Sequence, residues 1–122
     1  MTGQSGKSTR ALGSRYEAVA KRCLEEQGYE ILEQNFSCRQ GEIDLIAREG
    51  GFLVFVEVKY RKSLSQGDPM EAVDARKQRR IARAASYYLW KNRLPEDTPC
   101  RFDVVALMPG KYRICKDAFA IG

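Results

Sequence analysis

The chain contains no histidine among its 122 residues. That absence excludes Ser–His and Cys–His nucleophilic catalysis, metal sites ligated by imidazole, and histidine general acid–base chemistry. Any enzyme built on this sequence must work with carboxylates, lysine, cysteine, tyrosine or a bound metal. Cysteine is also sparse. Cys23, Cys38, Cys100 and Cys115 form no C-x-x-C unit, and a zinc site without histidine would need all four at once. They read as reduced, small hydrophobic residues of a cytoplasmic protein. Long apolar runs are missing as well. The longest, Phe52 to Val56, falls far short of the roughly 20 residues that cross a bilayer, and no signal-peptide core is expected at the N-terminus. A phosphate-binding loop is excluded too. Gly6-Lys7-Ser8 ends like one, but its first glycine would have to stand where Met1 is, with no strand before it.

The length suits a single domain with a real core. Lys and Arg total 21 against 16 Asp and Glu, a net charge of +5. That excess is compatible with nucleic acid or anionic lipid, and many inert domains share it.

Residues Met1 to Thr9 are small, polar and glycine-rich and read as a flexible tail, leaving residues 10–122 as the folded domain. Leu12, Tyr16, Val19 and Cys23 follow one helical face, so the spacing predicts a helix from Leu12 to Gln27, stopped by Gly28. Strands are expected at Tyr29–Phe36, Glu42–Arg48 and Phe52–Tyr60, the last two joined through Gly50-Gly51 as a hairpin. A polar loop leads to a helix over Met70–Asn92. Pro95 to Pro99 is a linker, and strands at Arg101–Leu107 and Tyr112–Cys115 follow around Pro109-Gly110. The strand–helix–strand unit should cross over right-handed and leave its two strands parallel. The fold class is α/β, in the order α-β-β-β-α-β-β, with one mixed five-stranded sheet flanked by helices.

The hairpin carries the chemistry. A two-residue loop at Gly50-Gly51 sets Glu49 against Phe52, and counting outward brings Asp44 opposite Glu57 and Glu42 opposite Lys59. Alternation places Ile43, Leu45, Ala47, Val54, Val56 and Val58 on one face. The other carries Ile46, Leu53 and Phe55 near the turn, and Glu42, Asp44, Glu57 and Lys59 at the far end. Two ionised carboxylates about 5 Å apart repel by about 3 kcal/mol at an effective dielectric near 20. Such a pair needs a cation or a shared proton. Lys59 supplies one charge, and a divalent ion with a preference for oxygen, Mg²⁺ or Mn²⁺, would supply more. The competing reading is a surface charge cluster with an ordinary Glu42–Lys59 ion pair.

Gly41-Glu42-Ile43-Asp44-Leu45-Ile46 followed by Phe55-Val56-Glu57-Val58-Lys59 resembles the PD-(D/E)xK motif of nucleases. More closely, the chain resembles the YraN-type family of small bacterial proteins, a likeness that Glu17, Asn35 and Arg101-Phe102-Asp103-Val104-Val105 share and that covers nearly everything after the tail. That family resembles archaeal Holliday-junction resolvases in fold. Ile43 departs from the motif, standing where its proline would be. The resemblance implies a restriction-endonuclease-like domain and a metal-dependent endonuclease acting on DNA, branched or single-stranded DNA included. It implies that Asp44 and Glu57 hold Mg²⁺ or Mn²⁺, helped by the Val58 carbonyl, and that Lys59 orients water or stabilises phosphate charge. By analogy with resolvases, a homodimer is compatible with this reading.

Other residues keep two readings. Glu17 shares a helical stripe with Gly13, Ala20 and Leu24 and would complete the metal site in resolvase-like proteins. It also closes a capping box begun by Ser14. Arg76, Lys77, Arg79, Arg80 and Arg83 make the second helix basic. Arg76, Lys77, Arg80 and Arg83, with Arg61 and Lys62, are candidates for holding a nucleic-acid backbone, or form a solvated face. Asp103 is a supporting group of the site or a structural ion-pair partner. Tyr87, Tyr88 and Trp90 are expected in the core rather than in a dimer patch. Two other functions compete with cleavage: a non-cleaving nucleic-acid-binding module and a protein-interaction adaptor.

Overall fold

A computed structural model describes residues 15–62 and 73–120. The expected tail at Met1–Thr9, the helix start at Leu12–Ser14 and the residues Met70–Ala72 lie outside these. Residues 15–26 form α1. It is followed by β1 (Glu30–Cys38), β2 (Gly41–Glu49), β3 (Phe52–Tyr60), α2 (Ala75–Lys91), β4 (Cys100–Met108) and β5 (Lys111–Cys115). The five strands lie in sequence order in one sheet, β1-β2-β3-β4-β5. Only β3 and β4 run parallel, as the crossover through α2 requires.

Local chemistry explains the boundaries. Beyond α1, Gly28 adopts a φ of 93° that a glycine accepts without strain. The Tyr29 N–H then turns back to the Leu24 carbonyl at 3.0 Å. Gly50 and Gly51 both have positive φ, 59° and 85°, the requirement of a tight hairpin turn with the twist of the strands. The register follows from that turn: Glu49 faces Phe52 and pairing runs outward to Leu45 and Val56. The second helix starts later than its periodicity suggests. Asp74 caps it, its carboxylate accepting the Lys77 N–H at 2.9 Å, so Val73 and Asp74 lie before the first turn.

Each face of the sheet carries its own helix. Leu45, Ala47, Val54, Val56, Val105 and Leu107 pack with Ala20, Cys23 and Leu24 of α1. Ile46, Leu53, Phe55 and Val104 pack with Ile81, Ala84, Ala85 and Tyr88, the one-sided stripe of α2.

Two expectations change. Ile43 joins the cluster under α2 rather than its alternation partners Leu45 and Ala47. The cause is a break in alternation. Asn35 takes a left-handed φ of 56°, and the β1–β2 ladder passes from Gln34–Leu45 to Phe36–Ile43 without pairing Asn35 to Asp44. Asparagine tolerates that conformation better than most residues. Of the aromatic trio, Tyr88 is core, whereas Trp90 is 72% exposed.

Gly41 is where β2 meets α2. A Cβ there would lie 3.3 Å from the Arg80 carbonyl oxygen. Gly41→Val is therefore expected to push α2 off the sheet end and lower stability by about 1–3 kcal/mol. A melting temperature equal to the wild type's would show that the helix yields freely.

Candidate active site

Where the β2–β3 ladder ends, two carboxylates remain. Asp44 is unpaired in both neighbouring ladders, so its side chain substitutes for backbone: Oδ2 accepts the Val58 N–H at 2.8 Å. Asp44 and Glu57 also share a hydrogen bond. The acids expected opposite one another do meet, at the point where regular pairing stops.

Glu57 is 5% exposed. Lys59 Nζ lies 3.3 Å from its Oε2, and Lys77 Nζ reaches the same oxygen from the first turn of α2. Lys59 thus turns to Glu57 and not across to Glu42. Oε2 is buried, and the two ammonium groups are the partners that face it. What holds it is charge.

Burial and the neighbouring Glu57 push the Asp44 carboxyl up to about 8, against the opposing Val58 N–H. Burial alone would raise Glu57 too, but the hydrogen bond with Asp44 and the charges of Lys77 and Lys59 bring it below its ordinary value. The pair therefore titrates asymmetrically, with a proton held between the two acids near neutrality. Burial, aided by Lys77, lowers the Lys59 ammonium.

Glu17 approaches from the other face. It is buried on α1, beside the stack of Tyr16 on Tyr60, whose ring centroids lie 4.5 Å apart. That stack ties the start of α1 to the end of β3. Burial raises the Glu17 carboxyl, and the charges of Glu42 and Glu57 add to the effect, against a hydrogen bond with Asn35. The capping partner Ser14 lies outside the described residues. Asn35 is a supporting residue that periodicity could not reveal; its signal was an asparagine in the middle of a strand.

Asp44 and Glu57, but not Glu17 or Lys59, line a cleft of about 700 Å³ together with Glu42, Asp74, Arg76, Lys77 and Arg80. Of the basic candidates, Arg76, Lys77 and Arg80 reach this cleft. Arg83 is exposed farther along α2 and Lys62 is exposed beyond β3. Arg61 is half-buried, its guanidinium donating to the Tyr60 carbonyl at 3.0 Å. Lys77 was expected only as a backbone contact, and its grip on Glu57 was legible in part: the Asp74 cap three residues earlier places it in the first helical turn.

Asp103 lies away from this site. It is fully buried, accepts the Tyr29 hydroxyl at 2.7 Å and the Asp117 N–H at 2.9 Å, and takes both Nε and Nη2 of Arg101 at 2.9 Å. Arg101 continues to Glu49 at 2.7 Å, and Lys116 reaches the same Glu49 at 3.1 Å. Every oxygen there has a partner, the mark of a structural bolt.

Among the described residues no group of three Asp, Glu or Cys side chains converges as a metal cage. Two carboxylates still suit a hard cation. Mg²⁺ is commonly held by one or two carboxylates, with waters and substrate phosphate completing its shell. Oε2 of Glu57, held at present by two lysines, is an oxygen ligand of that kind. Val58 lies between the acids with its N–H taken by Asp44.

The profile described as "Uncharacterised protein family UPF0102" matches residues 16–107. A UPF0102 protein of Lachnoclostridium phytofermentans is 57% identical over 103 residues, covering 84% of this chain and 87% of its own. One from Symbiobacterium thermophilum is 48% identical over 116 residues, covering 91% and 98%. One from Acetivibrio thermocellus is 56% identical over 97 residues, covering 79% and 74%.

Proposed function

The chain belongs to the UPF0102 family, and we propose that it is a metal-dependent nuclease hydrolysing phosphodiester bonds in DNA, branched or single-stranded DNA included. One observation carries the reading: two acids meet at the wall of an open cleft, one keeping a proton near neutrality and the other buried with two lysines on a single oxygen.

Asp44 and Glu57 would hold Mg²⁺ or Mn²⁺, which when bound supplies Lewis acidity and an activated water. Lys59 is half-buried against Glu57, placed to orient the attacking water or to offset charge on the phosphate. Glu17 adds negative charge from the opposite side. Arg76 and Arg80 at the cleft mouth would grip the backbone. Arg76 and Arg80 would meet phosphates rather than base edges, so selection would be by DNA shape or backbone.

The test is a cleavage panel on branched, single-stranded and duplex DNA with Mg²⁺, Mn²⁺ or EDTA. We expect cutting that needs the metal and is lost in Lys59→Ala. Salt-sensitive DNA binding without cutting under any of these conditions would make the protein a binding module instead.

A further inference from the structure

Two cations compete for one oxygen. Lys59 and Lys77 both lie against Glu57 Oε2. Like charges so placed repel each other. The two lysines differ in freedom. The Lys59 side chain is 18% exposed and rises from a central strand. That of Lys77 is 41% exposed, rises from the first turn of α2 and borders the open cleft. A lysine ammonium is a compact, strongly hydrated charge on a flexible stem, well suited to exchange one anionic partner for another.

We propose that Lys77 is a resident counter-cation, which occupies the position beside Glu57 that a divalent metal takes and, once displaced, turns into the cleft to meet a phosphate beside Arg76 and Arg80. The inference rests on the metal reading of Asp44 and Glu57. It gives the lysine two jobs. Without metal, it offsets the charge of the acid pair. With metal and DNA, it becomes a backbone contact on the same wall as two arginines. Metal and DNA then favour each other, because each stabilises the lysine position that the other needs. The geometry accounts for why a lysine, and not a third carboxylate, closes this side of the site.

The test uses the full chain and Mn²⁺ alone, followed by calorimetry. Removing the competitor in Lys77→Met should tighten Mn²⁺ binding by about tenfold, the scale of one partly buried ion pair, whereas Asp44→Asn should abolish it. Binding that is unchanged or weaker in Lys77→Met, with Asp44→Asn still inactive in binding, overturns the inference and leaves the metal site standing. No Mn²⁺ binding by the wild type sinks the metal reading and this inference with it. A second measurement needs no variant. In ¹⁵N-lysine-labelled wild type, one ammonium signal shielded from exchange is expected to vanish on adding Mg²⁺, and its persistence at saturating Mg²⁺ would overturn the exchange. With Ca²⁺ as a non-cutting ion, Lys77→Met should also lower the salt slope of DNA binding by about one.

Discussion

Asp44→Asn is expected to abolish the proposed metal-dependent cleavage while leaving the protein at least as stable as the wild type at pH 7. The asparagine carbonyl keeps the Val58 N–H, and its amide can donate to Glu57 as the protonated acid does. What disappears is the anionic oxygen that the proposed metal would need. Outer-shell partners of metal ligands are themselves worth roughly 10–100-fold, so losing a direct ligand should cost more than about a hundredfold in rate. The pH dependence of stability separates this from a folding defect. The native Asp44 carboxyl titrates near 8, above its ordinary 3.8. Between those values the native state binds more protons than the unfolded chain, so wild-type stability falls as pH rises through that window. Glu57 works in the opposite sense: its contribution is present above its ordinary 4.5 and is lost as pH falls through its lower native value. In Asp44→Asn the alkaline decline should flatten. Thermal melts between pH 5 and 9, with a cleavage assay beside them, check both halves. A variant that melts far below the wild type at pH 7, or that cuts normally, would refute the assignment.

The largest loss of stability is expected far from the cleft. Arg101→Ala leaves Asp103 with only the Tyr29 hydroxyl and the Asp117 N–H, and strips Glu49 of a partner. Breaking one side of a buried ion pair costs about 3–5 kcal/mol, because the remaining charge stays in a low-dielectric interior. For a domain of this size that corresponds to a melting temperature lower by roughly 10–20 °C. Replacing both partners, as in Arg101→Met with Asp103→Leu, removes the stranded charge and should recover part of the loss. Metal binding measured well below the melting temperature should stay as in the wild type, since the bolt lies on the α1 face and Glu57 faces α2. A change in metal affinity in Arg101→Ala would mean that the two networks are coupled through β3 and β4.

The hairpin explains how much could be read in advance. Two adjacent glycines that accept positive φ, flanked by strands of period two, leave one register, so the meeting of Asp44 and Glu57 followed from local rules. The parallel pairing of β3 and β4 followed from the helical crossover between them. Even the break at Asp44 had a local agent in Asn35, although alternation alone assigned Ile43 to the wrong face. Trp90 was misplaced because its size was read as burial: two residues past Tyr88, it turns about 200° away from the stripe of Ile81, Ala84, Ala85 and Tyr88.

The sequence by itself determined the order of elements, the hairpin register and the acid pair at its open end, because these depend on neighbours a few residues apart. Only the tertiary structure decided which cations serve that pair and which buried acid is merely structural. Lys77 contacts Glu57 from α2 while Glu17 and Glu57 feel each other's charge from opposite faces, and Tyr29 before β1 and Asp117 after β5 close on Asp103 and its strand neighbour Arg101. Charge acts through space, and the distances that set its strength exist only once the helices have docked.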